Sequence, residues 1–372
     1  MLVTIIIFVV LLSILVLVHE LGHFLVARRA GVLVEEFGFG LPPRLYGKKI
    51  GETIYSINAL PIGGFVRLHV ENDEETIIDP KRAFLKKSRK VRSVIVLAGV
   101  FMNFLLGIFA FSSVYTYTGI PTLTQTGKVE VIGVMEGSPA ESAKLEVGDV
   151  VKTIDGSGVS TVSEFIETVD SKNGKEVLLG IERGEENLDI KVTPRVDPPE
   201  GEGALGISIS STSVTYTFPP LWQRPFIGIY HGFQDAIFWG GLILTGLGSM
   251  IQNLFSGVIP KDVAGPAGLL ALTSEVSKQG IIPLINWMGI ISINLAILNV
   301  VPFPALDGGR LLFIGIEGIF GRRIVPRVES WIHAAGLALL VLLLLAVTIR
   351  EVRMIIQLGF SGYVQFLQQQ GM

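Results

Sequence analysis

The chain of 372 residues has no cysteine, which excludes disulfides, thiol nucleophiles and thiolate metal sites. The redox compartment stays open. Charge is scarce as well: Asp, Glu, Lys and Arg make up 17% against 49% hydrophobic residues. That balance excludes an ordinary soluble enzyme and indicates a polytopic membrane protein. Neither sign of charge dominates, with 30 Lys and Arg against 33 Asp and Glu, so no nucleic-acid partner is expected. Histidine is rare too, and two of the five lie together inside an apolar run.

What the chain does have is long apolar runs. Three of them, 2–26, 93–117 and 331–349, match the roughly 20 helical residues that a hydrocarbon core requires. A fourth, 281–303, spans if Pro283 sits in its first turn. The first run lacks a basic leader and a small-residue cleavage site, so it is expected to be a retained span rather than a signal peptide. The basic segments KRAFLKKSRKVR (81–92) and GRRIVPR (321–327) mark the cytoplasmic side, whereas acidic residues prevail in 118–280. The consistent solution puts the N-terminus outside, 27–92 inside, 118–280 outside, 308–330 inside and the C-terminus outside. The run 226–255 carries His231, Gln234, Asp235 and many glycines, and is expected to be an interfacial or re-entrant amphipathic helix. Were it to span, residue 307 would lie on the opposite face from residues 19 and 23.

The first run contains H-E-L-G-H (19–23). His19 and His23, four apart, project from one face of a helix. Both imidazoles can then bind one Zn²⁺ ion, with Glu20 placed to take a proton from water. The plain alternative is a polar pair in a helix–helix contact, but ionisable groups at bilayer depth are costly without a compensating ligand. A catalytic zinc site needs a third protein ligand. In 292–312 the one candidate acid is Asp307, after Pro302 and Pro304 and before Gly308 and Gly309, which permit an unusual turn. The competing reading of Asp307 is a helix cap.

H-E-L-G-H together with N-x4-N-x-x-P-x-P-x-L-D-G-G, read as Asn294, Asn299, Pro302, Pro304 and Leu306 to Gly309, resembles the site-2 protease family of zinc intramembrane metalloproteases. The match is nearest the bacterial regulator-of-sigma-E protease branch. The resemblance implies one zinc ion per chain on His19, His23 and Asp307, Glu20 as catalytic base, and Asn294 and Asn299 in substrate handling. Asn103 matches a substrate-handling position in the second span, although Val100 stands where that family usually has proline; a polar contact between helices is its alternative.

Residues 34–68 alternate short β-like pieces with Gly and Pro, as hairpins do. In the family this region is a membrane-associated sheet at the active-site mouth; an ordinary cytoplasmic hairpin is the alternative. His69, just beyond, reads as a surface histidine, and His231 and His333 as polar groups near span ends. Residues 129–169 and 175–196, with an SPA helix start, L-x-x-G-D and an I-D-G hairpin, resemble one bacterial PDZ domain, to which GALGISI (203–209) adds a strand and loop. Binding or excluding the extracytoplasmic parts of substrates is its expected role, and a spacer the alternative. DPPEGEG (197–203) and TFPPLWQRP (217–225) are connectors.

The expected fold is therefore an α-helical polytopic membrane protein with four transmembrane helices, a membrane-associated β-hairpin region and one inserted extracytoplasmic α+β PDZ domain. Residues 1–120 hold the first two spans and the β region, 121–210 the PDZ domain, 211–280 the connector and 281–372 the last two spans. The expected function is zinc-dependent endoproteolysis within the lipid bilayer of the bacterial cytoplasmic membrane, near its cytoplasmic face. Substrates would be single-span membrane proteins such as anti-sigma factors or remnant signal peptides, with a separate PDZ ligand outside. The alternatives are an inactive PDZ-bearing scaffold with a structural metal, and metal-ion transport.

Overall fold

The computed structural model describes residues 2–70, 79–184, 186–199, 202–256, 264–321 and 325–369. Residues 322–324 of GRRIVPR and 200–201 of DPPEGEG lie outside the described residues. The chain divides into two compact units, Met1–Tyr117 with Pro220–Met372, and Thr118–Pro219.

The first unit begins with α1 (Leu2–Arg29), whose last turn carries Arg28 and Arg29, favourable charges at the negative end of a helix dipole. Leu2, Val3, Ile5, Ile6, Val10 and Ile14 are exposed along it, the outward apolar surface of a helix made for lipid. Two strands follow, β1 (Val34–Ile50) and β2 (Thr53–Leu68), paired antiparallel. They curl so that 34–39 lies between the two ends of β2: Gly38 pairs with Phe65 on one side and Ser56 on the other. The sheet thus runs 64–68, 34–39, 53–57, 46–50, with 64–68 at an edge. Burial alternates along 34–39 with the period of two that a strand requires.

A 3-10 turn (Phe84–Lys86) leads into helix α2 (Arg89–Thr118), and the remaining elements of this unit follow residue 219. One apolar cluster joins Phe24 and Ala27 of α1, Val34 and Leu68 of the sheet, Phe84, and Ile95 and Val96 of α2. His69 is buried among these elements at 1% exposure, which corrects the surface reading. Its backbone bridges Leu33 and Phe84, its Nε2 accepts from the Asp79 N–H, and its Nδ1 lies 2.7 Å from Glu35 Oε1.

The second unit is an antiparallel sheet of β3 (Ile120–Val134), β4 (Val150–Ile154), β5 (Ser157–Gly158), β6 (Val177–Arg183), β7 (Glu186–Val192) and β8 (Ile207–Thr217), with helices α3 (Pro139–Ser142) and α4 (Val162–Asp170). The strand order is β7-β6-β4-β3-β8, with β5 on β4. Ser138 and Thr161 cap the two helices, each accepting from the N–H of a glutamate three residues on. Asp149 of L-x-x-G-D is fully buried and held by two hydrogen bonds from Arg183. Asp155 and Gly156, both at positive φ, turn β4 into β5. The last strand runs to Thr217, past residue 210.

The first unit resumes with α5 (Arg224–Phe255), α6 (Pro266–Lys278), α7 (Ile281–Val300), α8 (Asp307–Phe320) and α9 (Pro326–Gln369), which turns at Gly359 (φ 71°, ψ 166°). Among the described residues four helices are long and apolar enough to cross a membrane: α1, α2, α7 and the Val328–Leu367 part of α9. Pro283 falls in the first turn of α7. Helix α5 sets small residues every fourth position, Gly228, Gly232, Ala236 and Gly240. A Cβ on Gly232 would lie 2.5 Å from Ser112 Oγ, so α5 and α2 meet backbone to backbone, the packing of helices in lipid. Tyr115 of α2 donates to Asp235 of α5 beside that seam.

Candidate metal centre

One turn apart on α1, His19 and His23 place their Nε2 atoms 3.2 Å from each other. Asp307, the first residue of α8, brings Oδ2 to 3.1 Å from His19 Nε2 and 3.3 Å from His23 Nε2. The three groups form the His/Asp/Glu cluster with metal-ligand spacing found among the described residues. Asp307 is no helix cap: Leu306 holds the cap position, without a side-chain hydrogen bond, while the carboxylate turns to the imidazoles.

Glycines make this convergence possible. A Cβ on Gly22 would lie 2.3 Å from the Ala98 carbonyl, and one on Gly99 only 2.4 Å from His23 Nε2. Helices α1 and α2 therefore cross at bare backbone directly over the histidines. Gly308 and Gly309 act by the same means, since Cβ atoms there would meet the carbonyls of Val301 and Phe303 at 2.1 and 2.5 Å. The unusual backbone expected at these glycines sits instead at Ala305, with φ 82°.

The surrounding hydrogen bonds prepare the ligand atoms. His23 Nδ1 lies 2.9 Å from the Ile95 carbonyl, so the ring proton points there and Nε2 keeps its lone pair. The Asn103 amide lies 3.5 Å from His19 Nδ1. The nitrogen of that amide faces the ring; with the amide oxygen and nitrogen exchanged, Oδ1 would accept the Nδ1 proton and free the Nε2 lone pair of His19, and Oδ1 would gain the donor it otherwise lacks. Asn103 Oδ1 and Asp307 Oδ2 are buried and accept no hydrogen bond from the described residues. Two nitrogen lone pairs and a carboxylate oxygen thus face one point, an arrangement that a cation satisfies. Their separations match the ~3.3 Å edge of a tetrahedron with bonds of about 2.0 Å, the geometry of zinc. The residues fit the metal.

A cleft of about 210 Å³ opens over these atoms, lined by Glu20, Phe65, Val66, Leu306 and Arg310 among others. Glu20 shares it with the ligands, and Phe65 and Val66 belong to the sheet's edge segment. Asn103 is 1% exposed, behind His19, with its backbone carbonyl accepting from Ser292. Asn294 and Asn299 are half-buried on α7 and are not among the residues that line the cleft. Sequence reasoning missed the Ile95 carbonyl, which no side-chain pattern marks, and the pair Arg92–Glu317. Both carboxylate oxygens of Glu317 accept from Arg92 Nη2, at 2.7 and 2.6 Å, tying α8 to α2.

Comparison with known proteins places this arrangement. The model of Peptidase family M50 matches residues 7–343. Zinc metalloprotease RasP of Geobacillus kaustophilus is 30% identical, over 94% of this chain and 98% of the relative. RasP of Oceanobacillus iheyensis is 29% identical over 94% and 99%. The crystal structure of the PDZ domain of the SdrC-like protein from Listeria monocytogenes is similar over 24% of this chain and 92% of its own, at 28% identity and a TM-score of 0.21. With a family match running from the first span into the last, the chain belongs to peptidase family M50 and is a zinc metalloprotease.

Proposed function

We propose that the chain cleaves the transmembrane segments of single-span membrane proteins in the bacterial cytoplasmic membrane, with His19, His23 and Asp307 as metal ligands and Glu20 as general base. The observation that carries this reading is the meeting of three ligand atoms at one point from α1 and the start of α8. Zn²⁺, when bound, supplies a Lewis acid for the scissile carbonyl and makes water acidic enough to react near neutral pH.

The protein supplies the rest. Glu20, adjacent to His19 in the cleft, accepts a proton from water and delivers it to the departing amide nitrogen. Asn103 and the Ile95 carbonyl keep both imidazoles turned for ligation. A helical substrate must unwind before a peptide bond is accessible, and its released backbone groups need partners in lipid. The edge segment 64–68 beside the cleft supports delivery of the substrate as an added strand. Asn294 and Asn299 are assigned to substrate once it enters along α7.

The charge pattern supports a cytoplasmic-side site with Thr118–Pro219, a PDZ-like unit, outside and engaging the extracytoplasmic parts of substrates. The absence of α5 from the four helices apolar enough to span, among the described residues, supports it as an interfacial or re-entrant helix. To test the reading, purified Glu20→Gln protein is incubated with a helical single-span substrate. Cleavage should fall by several orders of magnitude, and a chelator should abolish wild-type activity reversibly. Undiminished cleavage in either experiment would overturn the assignment.

A further inference from the structure

The turn that presents Asp307 contains a residue in a conformation that L side chains rarely adopt, and α9 is built against that residue. Ala305, two positions before Asp307, has φ 82° although it carries a Cβ. Its backbone N–H donates to Nδ1 of His333 at 3.0 Å. Three residues along α9, Gly336 faces the preceding proline, where a Cβ would lie 2.4 Å from Pro304 Cβ and 2.7 Å from its carbonyl oxygen. A histidine and a bare glycine of the last span thus form a seat for the Pro304–Ala305 turn. Phe313 of α8 packs on the imidazole, with ring centroids 5.3 Å apart.

We infer that His333 is a positioning residue for the metal centre: its Nδ1 atom holds Ala305 in the left-handed conformation that aims the Asp307 carboxylate at His19 and His23. The inference rests on the ligand assignment above. Because Nδ1 accepts, the ring is neutral and its proton sits on Nε2. Nε2 is buried and has no hydrogen-bond partner among the described residues. The working atom is therefore Nδ1, and the two ring nitrogens can be told apart by substitution.

In asparagine the amide lies where Nδ1 lies, and in glutamine it lies nearer Nε2. His333→Asn keeps an acceptor for the Ala305 N–H, and His333→Gln does not. Each variant, as the full chain in detergent, is titrated against a zinc chelator of known affinity, and its Co²⁺-loaded form is followed by visible absorption. Loss of an outer partner of a metal ligand costs about 10- to 100-fold in affinity. His333→Gln should weaken zinc about tenfold and alter the Co²⁺ spectrum, with kcat falling more than KM rises, and His333→Asn should stay within about threefold of wild type. Adding Ala305→Gly should recover most of the glutamine loss, since glycine adopts positive φ without steric cost. Equal affinities for all three proteins, a variant order with glutamine above asparagine, or no recovery on adding Ala305→Gly would overturn the inference. His19→Ala separates the two levels. If it loses zinc while His333→Gln binds as wild type, the inference alone fails; if it keeps zinc at wild-type affinity, the ligand assignment fails and the inference with it.

Discussion

Replacing Gly99 with alanine adds one methyl group, and the structure says where it goes. The new Cβ would lie 2.4 Å from His23 Nε2 and 2.7 Å from His19 Cε1. Ordinary contact between such atoms needs about 3.5 Å, so the rings or α2 must withdraw by roughly 1 Å. The imidazole cannot simply retreat, because the carbonyl it donates to, Ile95, belongs to α2 itself. Moving α2 carries Ile95 and Asn103 away together and loosens both rings. A displacement of about 1 Å at a reacting centre costs on the order of 10²-fold in rate, near 2.7 kcal/mol. The assay is single-turnover cleavage of a single-span substrate in micelles, with zinc per chain measured by atomic absorption. Gly241→Ala, on α5, is the control, because a Cβ there meets nothing within 4 Å. Gly99→Ala protein with a wild-type rate and a full complement of zinc would refute the reasoning.

Two further outcomes are expected. Arg92→Ala leaves the Glu317 carboxylate without its bidentate partner in a largely buried site, a loss of the kind that costs about 3–5 kcal/mol. Thermal unfolding in detergent should begin well below the wild-type temperature, and an unchanged melt would refute a stabilising role for the Arg92–Glu317 pair. Burial alone would raise the pKa of Asp149, but hydrogen bonds from Arg183 and from the Glu146 backbone hold it below the usual carboxylate range. With the native value depressed, the stabilisation is complete above the ordinary range and is lost as pH falls through the native value. Hydrogen exchange over 129–192 should therefore separate wild type from Arg183→Leu most at neutral pH and converge in acid; a gap constant down to pH ~2 would count against it.

The His19, His23 and Asp307 cluster is legible because histidines, a glutamate and a proline-broken aspartate within apolar runs have few uses in lipid. The four spans were legible for the same reason, since apolar length has one plain meaning. What stayed hidden depends on approach between backbones. Nothing near Gly22 or Gly99 in sequence says that another helix will lie within a methyl group's reach. An unusual turn is expected at Gly308 and Gly309 because glycine is the usual bearer of positive φ, and it falls at Ala305 instead. His69 reads as a surface residue beside a polar stretch, and its burial follows from long-range backbone bonds to Leu33 and Phe84. The motif points Asn103 toward substrate or toward a contact between helices, and its place behind His19 emerges only when α2 is laid across α1.

The C-terminal part of α9, past Arg350, is packed on α6. The Glu351 carboxylate, 3% exposed, accepts hydrogen bonds from the backbone of Gly265, Ala267 and Gly268 at the start of α6 and from Tyr363. Past the bend at Gly359, Tyr363, Val364 and Leu367 pack on Ala271 of the same helix. Truncation after Arg350 would strip α6 of its anion and of the greasy floor it rests on, while leaving His19, His23 and Asp307 in the chain. Anyone shortening this protein for expression, or appending a fluorescent partner, should count residues 351–367 as part of the folded enzyme.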